Sequence, residues 1–411
     1  MIGTGVFTSL GFQLKDLSNP LTILTLWILG GTLALSGAFS YAEVGTIIKK
    51  SGGEYAFLSH IYHPVAGYLS GWISLSVGFA APIALAAIAF TEYFPFSGSV
   101  SSSKWISIAL VALITLIHTQ SLKFSSGFQN ISTLFKVTLI VILITIGLLI
   151  PASSGNTFIF ESSSFQEITS APFAIALIYV SYSYSGWNAA AYITEEFKHP
   201  TKSLPIALIG GTLLVTILYT LLQFIFLKHV PVSELAGELN VGSIVAEKIL
   251  GKNIGNLFGL AISIFLVSSI SAMVWVGARV TSSIAREHRL WHYFQADQDA
   301  VPYKALWLQF GISTFLLLTG TFEQIMIYCG ILLSLSAMMT VIGVFFLRSQ
   351  KKFRSEQGYK SPFFPLFQLL FILLSLWMVV FAFIQNTYET LLGMTNIAIG
   401  LGTYVWSKKL T

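Results

Sequence analysis

Charge is scarce in this chain. Only 9% of its 411 residues are Asp, Glu, Lys or Arg, against 55% hydrophobic, where a soluble globular domain carries roughly 25% charged residues. A water-facing surface made from so little charge would present large apolar patches and aggregate, so lipid must cover much of it. Cysteine is nearly absent. The single Cys329 excludes an internal disulfide and any metal site built from cysteines. Long polar stretches are missing as well: the longest, about 228–255, is a loop and leaves no room for a soluble domain. There is no Gly-x-x-x-x-Gly-Lys-Ser/Thr phosphate loop, which argues against ATP drive by this chain. Neither Gly-x-Ser-x-Gly nor His-Glu-x-x-His occurs, so hydrolysis has no visible apparatus. The pI of about 9.1 raises nucleic acid as a partner, but the basic residues are not gathered on one domain, and no nucleic acid or cofactor is expected.

What the chain has instead is apolar runs. A membrane-spanning helix needs about 20 mostly apolar residues. Such runs cover 21–45, 65–90, 105–118, 131–150, 172–193 and 204–227 in the first half, and 256–281, 305–318, 325–347, 365–384 and 390–406 in the second. Residues 1–14 look like half a helix. The reading is an all-α, multi-pass integral membrane protein, a single transporter-sized domain over 1–411. With the N-terminal side placed in the cytoplasm, Lys and Arg crowd the inner loops, including Lys49, Lys50, Lys123, Lys198, Lys202, Arg348, Lys351, Lys352 and Arg354. Lys15, Lys104, Lys228, Lys248 and Lys252 fall outside. That asymmetry is the positive-inside pattern, and it supports the span count independently of hydropathy.

The beginning is abrupt. The apolar run from Met1 to Leu14 extends only about 21 Å as a helix, too short for a core of about 30 Å. The chain is expected to start within a helix, by truncation or a misplaced start codon; a re-entrant first segment is the alternative.

Two segments carry backbone-breaking chemistry at membrane depth. The first is Ile2-Gly3-Thr4-Gly5, where each glycine weakens a helix by about 1 kcal/mol relative to alanine. The second is Tyr182-Ser183-Tyr184-Ser185-Gly186-Trp187-Asn188, which gathers polar side chains and a glycine where lipid-facing positions would hold Leu or Ile. Unpaired backbone in a bilayer is tolerated only where protein buries it or a cavity receives it. A broken helix offers N–H groups at one half and C=O groups at the other, suited to a carboxylate and an ammonium respectively. An amino acid zwitterion carries both. The first break opens spans one to five and the second opens spans six to ten, and matching breaks in two halves point to a binding site between inverted repeats. Close helix packing through small residues is the competing reading.

The motifs then show a resemblance. Ile2-Gly3-Thr4-Gly5-Val6-Phe7 resembles the broken first helix of the amino acid–polyamine–organocation superfamily. Tyr41-Ala42-Glu43-Val44-Gly45 with Ser51-Gly52-Gly53-Glu54-Tyr55 is similar to the end of its second helix and the loop that follows. Ser185-Gly186-Trp187-Asn188 with Thr194-Glu195-Glu196-Phe197-Lys198-His199-Pro200 resembles its sixth helix and following loop, close to bacterial permeases and to the light chains of heteromeric amino acid transporters. The resemblance covers essentially the whole chain. It implies a LeuT-type fold of about a dozen helices, with 1–150 and 172–347 as inverted repeats of five helices each, 362–407 as two further helices, and transport by alternating access. It also implies site residues. Gly3, Thr4 and Gly5, with Ile2 beside them, would present amides to the substrate carboxylate. The carbonyls of Tyr182, Ser183 and Ser185, flanked by Tyr184 and Gly186, would take the ammonium. Tyr182 would be an aromatic gate and Asn188 a polar side chain at the break. The family has another half-helix before the point where this chain starts.

Lys136 stands inside a span, where a lysine costs several kcal/mol unless paired or deprotonated. Its immediate neighbours offer no carboxylate, so it is a candidate proton-coupling group. Snorkelling to the interface is the alternative. Glu43 and Glu195 lie near the inner ends of spans two and six and are candidate gates through pairing with basic loops. Ser268, Ser269 and Ser271 could face the pocket or pack helices, and Trp275 could line it. Trp72, Trp105, Trp291 and Trp406 are read as interfacial anchors. His288 and His292 have a metal-like spacing, but Arg286 and Arg289 argue against a cation there. No acidic side chain falls in the pocket read this way, which disfavours cationic substrates.

The functional expectation is secondary transport of amino acids, neutral ones above all, across the cytoplasmic membrane, as exchanger or proton symporter. A channel would want charged rings or a filter loop, and a membrane enzyme convergent His, Asp or Glu at membrane depth; neither is visible. The identity of the amino acid, any accessory subunit and the oligomeric state are not readable from sequence.

Overall fold

In hydrocarbon a backbone must satisfy its own hydrogen bonds, so an apolar run with few breaks becomes a helix. In the computed structural model ten of the eleven apolar runs do so, and the run at 172–193 is helical only up to Ser183 before it breaks. The structure describes residues 1–94, 100–120, 125–160, 162–297, 300–350, 353 and 358–409. Lys123, Lys351, Lys352 and Arg354, counted above among the inner basic residues, lie outside the described residues. In chain order the helices are α1 (Gly5–Gln13), α2 (Pro20–Ile48), α3 (Glu54–Ile61), α4 (Pro64–Ile73), α5 (Ala80–Tyr93), α6 (Val100–Gln120), α7 (Ser125–Leu149), α8 (Ser162–Ile168) and α9 (Ala171–Ser183). There follow α10 (Pro200–Pro205), α11 (Gly211–His229), α12 (Val232–Leu235), α13 (Val241–Leu250), α14 (Lys252–Glu287), α15 (Tyr303–Thr319), α16 (Phe322–Ser349), α17 (Leu366–Gln385) and α18 (Thr387–Lys409).

Among the described residues, eight helices are long and apolar enough to cross a membrane. That count falls short of the eleven runs for local reasons. The run at 172–193 is cut at Ser183, α15 has 17 residues, and α18 is diluted by Glu389, Thr390 and Asn396. The loop at 228–255 contains the short helices α12 and α13. Helices α4 and α5 form one span joined by a π-turn at Ser74–Gly78, and α10 and α11 are joined likewise at Ile206–Gly210. Such bulges are frequent at functional positions.

Local signals fix where the spans begin. Asn19 caps α2 by accepting the Leu21 and Thr22 amides, with Pro20 at the first helical position. Ser170 caps α9 through the Phe173 amide, and Thr321 with Gln324 forms a capping box on α16.

The interior of the bundle is α1 and α9, packed on each other, with α9 also against α2, α16 and α17 and α1 against α13. Every residue of α1 is buried, so this helix has no lipid face. Its polar groups are met inside: Gln223 Nε2 donates to Val6 O at 2.9 Å, Tyr93 OH to Phe7 O at 2.7 Å, and Trp27 Nε1 to Gln13 Oε1 at 2.9 Å. The lipid-facing exterior shows in α6 and α17, where Trp105, Leu113, Leu366 and Leu373 are exposed. Trp406 is exposed as well, as an anchor should be. Trp72 and Trp291 are not outward anchors. Trp72 Nε1 donates to Asn396 of α18 at 2.9 Å, its ring lies 5.6 Å from that of Trp291, and Trp291 Nε1 donates to Tyr68 OH at 2.8 Å. Hydropathy located these two at span ends but could not tell a lipid face from a helix–helix seam.

Candidate functional site: a cavity at the broken ninth helix

Helix α9 ends because the residues after Tyr184, whose N–H still donates to Val180 O at 3.0 Å, do not continue the i to i−4 ladder. Ser185 N–H donates to Tyr182 O at 2.9 Å and Ala189 N–H to Gly186 O at 3.1 Å, turns that place Gly186 at φ +86°. A residue with a Cβ meets steric cost in that region. The chain then resumes as a 3₁₀ segment over Ala189–Glu196. The break opens onto a cavity of about 570 Å³. Tyr182, Ser185, Gly186 and Asn188 line it, facing Phe79 beyond the π-turn and Gly330 of α16. Tyr184 contributes its ring and donates its hydroxyl to Trp27 O at 3.0 Å.

The α1 break lies behind this wall, outside the cavity lining. Thr4 Oγ1 is 3.4 Å from Tyr182 OH, and Ser9 Oγ is 3.0 Å from Ser183 Oγ. Gly5 approaches α9 so closely that a Cβ there would lie 2.4 Å from Ser183 Oγ and 2.5 Å from Ser183 Cα. Like any helix N-terminus, α1 lacks i−4 partners for its first-turn N–H groups, although Phe7 N–H donates to Thr4 O at 3.0 Å. The Tyr182 carbonyl, expected to be open to an ammonium, already accepts the Ser185 amide.

Lys136 is buried between α7 and α14. Its Nζ donates to Ser269 Oγ at 2.8 Å, and with Ile2, Gly3 and Phe7 it borders a separate small void of about 10 Å³. It therefore borders a void beside the α1 break and does not line the large cavity. Ser271 pairs with His118 Nε2 at 2.8 Å. Trp275 stacks between His118, at 5.8 Å, and the Arg279 guanidinium, at 4.2 Å. So Ser269, Ser271 and Trp275 serve helix contacts, while their neighbours Ala272, Met273 and Val276 face the cavity. His288 and His292 do not share an α-helical face: His288 is the extended cap residue after α14, and His292 sits in the following 3₁₀ turn.

The two ends of the bundle differ. At the end rich in Lys and Arg, the cavity passes the exposed Ala189 and Ile193. Glu43 is buried there in a bidentate pair with Arg348 of α16, 2.7 Å from both Nε and Nη2, and accepts the Ser361 amide at 2.8 Å. Glu195 is exposed, and its backbone N–H donates to Ser51 Oγ at 3.0 Å. Tyr55 OH donates to Glu287 and lies 3.1 Å from His288 Nε2. Burial, reinforced by Glu287, pushes the Tyr55 phenol up; burial pushes His288 down, against the pull of Glu287. The opposite end is shut. Phe12 stacks on Phe322 at 5.6 Å, Lys15 pairs with Glu323 at 2.8 Å, and Tyr179 OH donates to Glu323 at 2.7 Å. Backbone meets backbone as well: Gly237 N–H donates to Gly11 O at 2.7 Å, leaving no room for a Cβ at Gly11.

One expectation is overturned by this geometry. The cavity does hold an acidic side chain, Glu54. It is buried, and it accepts hydrogen bonds from Tyr41 OH at 2.8 Å, from Asn188 Nδ2 and from Tyr192 OH. In sequence it reads as part of a polar turn after α2. The available signal was the Gly-Gly-Glu-Tyr motif itself, an acid with two tyrosines and an asparagine elsewhere that could reach it.

The model of the amino acid permease family matches residues 1–403. The chain belongs to that family. Its relatives include the human b(0,+)-type amino acid transporter 1, 28% identical over all of this chain and 87% of the relative. The serine/threonine exchanger SteT of Bacillus subtilis is 27% identical over all of this chain and 94% of the relative. The human cystine/glutamate transporter is 27% identical over all of this chain and 83% of its own length. The permease is accordingly a multi-pass membrane transporter and not an enzyme, and the cavity at the α9 break is its candidate substrate site.

Proposed function

We propose that this permease moves amino acids across the cell membrane by alternating access, its basic end in the cytoplasm, with 1–150 and 172–347 acting as the two repeats and 362–407 as appended helices. The observation that carries the reading is a cavity that begins at a broken helix in mid-bundle and is closed at one end. A channel would be continuous, and a closed-ended cavity is what a carrier in one of its two states presents. The substrate is a neutral amino acid. Among the described residues no lysine or arginine lines the cavity to receive an acidic side chain, and the carboxylate found there, Glu54, is engaged by three neutral donors. Ile2, Gly3, Thr4 and Gly5 are proposed to hold the carboxylate end from α1, with Tyr182 the gate between the two breaks and Ser183 to Asn188 forming the ammonium end. Glu43 and Glu195 are proposed gate residues at the cytoplasmic end.

Counterflow tests this. Purified permease in liposomes loaded with unlabelled neutral amino acids should take up labelled L-alanine, L-serine or L-leucine faster than in empty liposomes. Equal rates with and without internal amino acid would remove the exchange reading, and accumulation driven by an inward proton gradient alone would replace it with symport. Exchange is favoured, since a relative matched over the whole chain bears the name of an exchanger.

Should uptake prove proton-driven, Lys136 is the proposed coupling group, since it borders the same small void as Ile2 and Gly3 of the α1 break. Lys136→Ala should flatten the pH profile of uptake while leaving the Ser269 hydroxyl and the large cavity in place. A profile unchanged from the parent protein would return Lys136 to a packing role.

A further inference from the structure

Asn188 lines the cavity, and the atom it turns toward the substrate is decided by a neighbour. Glu54 is the first residue of α3, Tyr41 lies on α2, and Asn188 and Tyr192 follow the α9 break. The carboxylate ties these three segments together: Tyr41 OH and Asn188 Nδ2 both donate to Oε1, and Tyr192 OH donates to Oε2. The loop adds a backbone bond, Gly52 N–H to Tyr192 O at 3.1 Å. A carboxylate accepts and cannot donate, whereas an asparagine amide has one accepting and one donating end. With Nδ2 committed to Glu54, Asn188 Oδ1 is the end left over, and it accepts from no described group.

We infer that Glu54 is a positioning residue for substrate recognition: it holds Asn188 so that Oδ1 faces the cavity as a fixed hydrogen-bond acceptor for the ammonium, or for a side-chain hydroxyl, of the amino acid. This rests on the cavity being the substrate site. Glu54 borders the cavity, but its role here is to orient Asn188. Three of its four acceptor positions are taken by these donors, so it acts through the orientation it imposes on Asn188. The same bonds fix Tyr192 and the 3₁₀ segment beside the cavity mouth, so recognition and the position of the mouth share one anchor.

An exchange of roles tests the assignment. Asn188→Asp alone sets two acceptors face to face, and KM for counterflow of labelled L-alanine, L-serine and L-leucine should rise about tenfold or more, the scale of a lost hydrogen bond to a charged group. In Glu54→Gln/Asn188→Asp the introduced amide donates to the introduced carboxylate and to Tyr41, while its oxygen still receives Tyr192. An accepting oxygen, now of a carboxylate, again has a fixed orientation toward the cavity, and KM should return to within about threefold of the parent, most of that loss recovered. A double variant no better than Asn188→Asp would overturn the inference. If Asn188→Asp does not insert in the membrane, Glu54→Met gives the answer. A raised KM at unchanged Vmax per folded molecule supports positioning, and a lower yield with unchanged KM reduces Glu54 to a structural anchor. Parent protein with no counterflow of any amino acid would instead refute the proposed substrate site, so the two failures are distinguishable.

Discussion

Gly5→Leu is expected to abolish amino acid uptake while leaving the protein in the membrane. The reason is the approach of α1 to α9: even the first carbon of the new side chain would overlap Ser183, backbone included. Neither helix can yield cheaply. All of α1 is buried, with Val6 O and Phe7 O held by Gln223 and Tyr93, and α9 is clamped between α2, α16 and α17. Forcing extra carbons into such packing costs typically about 1–3 kcal/mol, which the fold can survive. The site cannot, because a displacement of about 1 Å in positioned groups is enough to lower a rate on the order of 100-fold. Uptake per molecule inserted, measured against the parent, checks this. Normal uptake in Gly5→Leu would show that the α1–α9 contact is not part of the transport machinery.

Glu43→Gln is expected to produce the largest loss of stability among single polar substitutions. Glu43 has a side-chain exposure of 2% and Arg348 of 30%, so the amide would leave a partly buried guanidinium facing no charge. Removing one partner of a buried pair costs about 3–5 kcal/mol, whereas replacing both by apolar groups of similar size is often neutral or better. Arg348 also lies 3.9 Å from the centroid of the Phe364 ring, which would remain but cannot replace the carboxylate. Thermal unfolding in detergent should therefore fall by many degrees in Glu43→Gln and recover in Glu43→Met/Arg348→Met. If single and double variants melt together, the pair is not what joins α2 to α16.

Much of the architecture was legible because lipid imposes so severe a rule. A run of about 20 apolar residues has one backbone solution, so α2, α7, α14 and α16 are found by counting. The α9 break was legible for the converse reason, since Ser-Tyr-Ser-Gly is a poor continuation of a lipid-buried helix. Glu54 was not. It follows Lys49 and Lys50 by only a few residues and shares a stretch with Ser51, Gly52 and Gly53, which is the composition of a solvated turn. What brings it inside is α3 folding back beneath α2, so that it meets Asn188, a partner 134 positions away. No local pattern encodes that meeting. Lys136 shows a similar limit. Its place within a span was plain, but its partner, Ser269, lies on α14, 133 positions away. The same holds for Trp72 and Trp291, whose positions along their helices were right and whose facing was not.

The plug at the end opposite the cavity has an electrical consequence. It is made of stacked rings, an ion pair satisfied within the protein, and a backbone contact at Gly11 too close to admit even a methyl group. Such a plug offers no file of water along which ions or protons could hop. A membrane densely packed with this permease would therefore keep its resistance while every copy stood open on one side, and the voltage across it would not be spent through the carrier between turnovers.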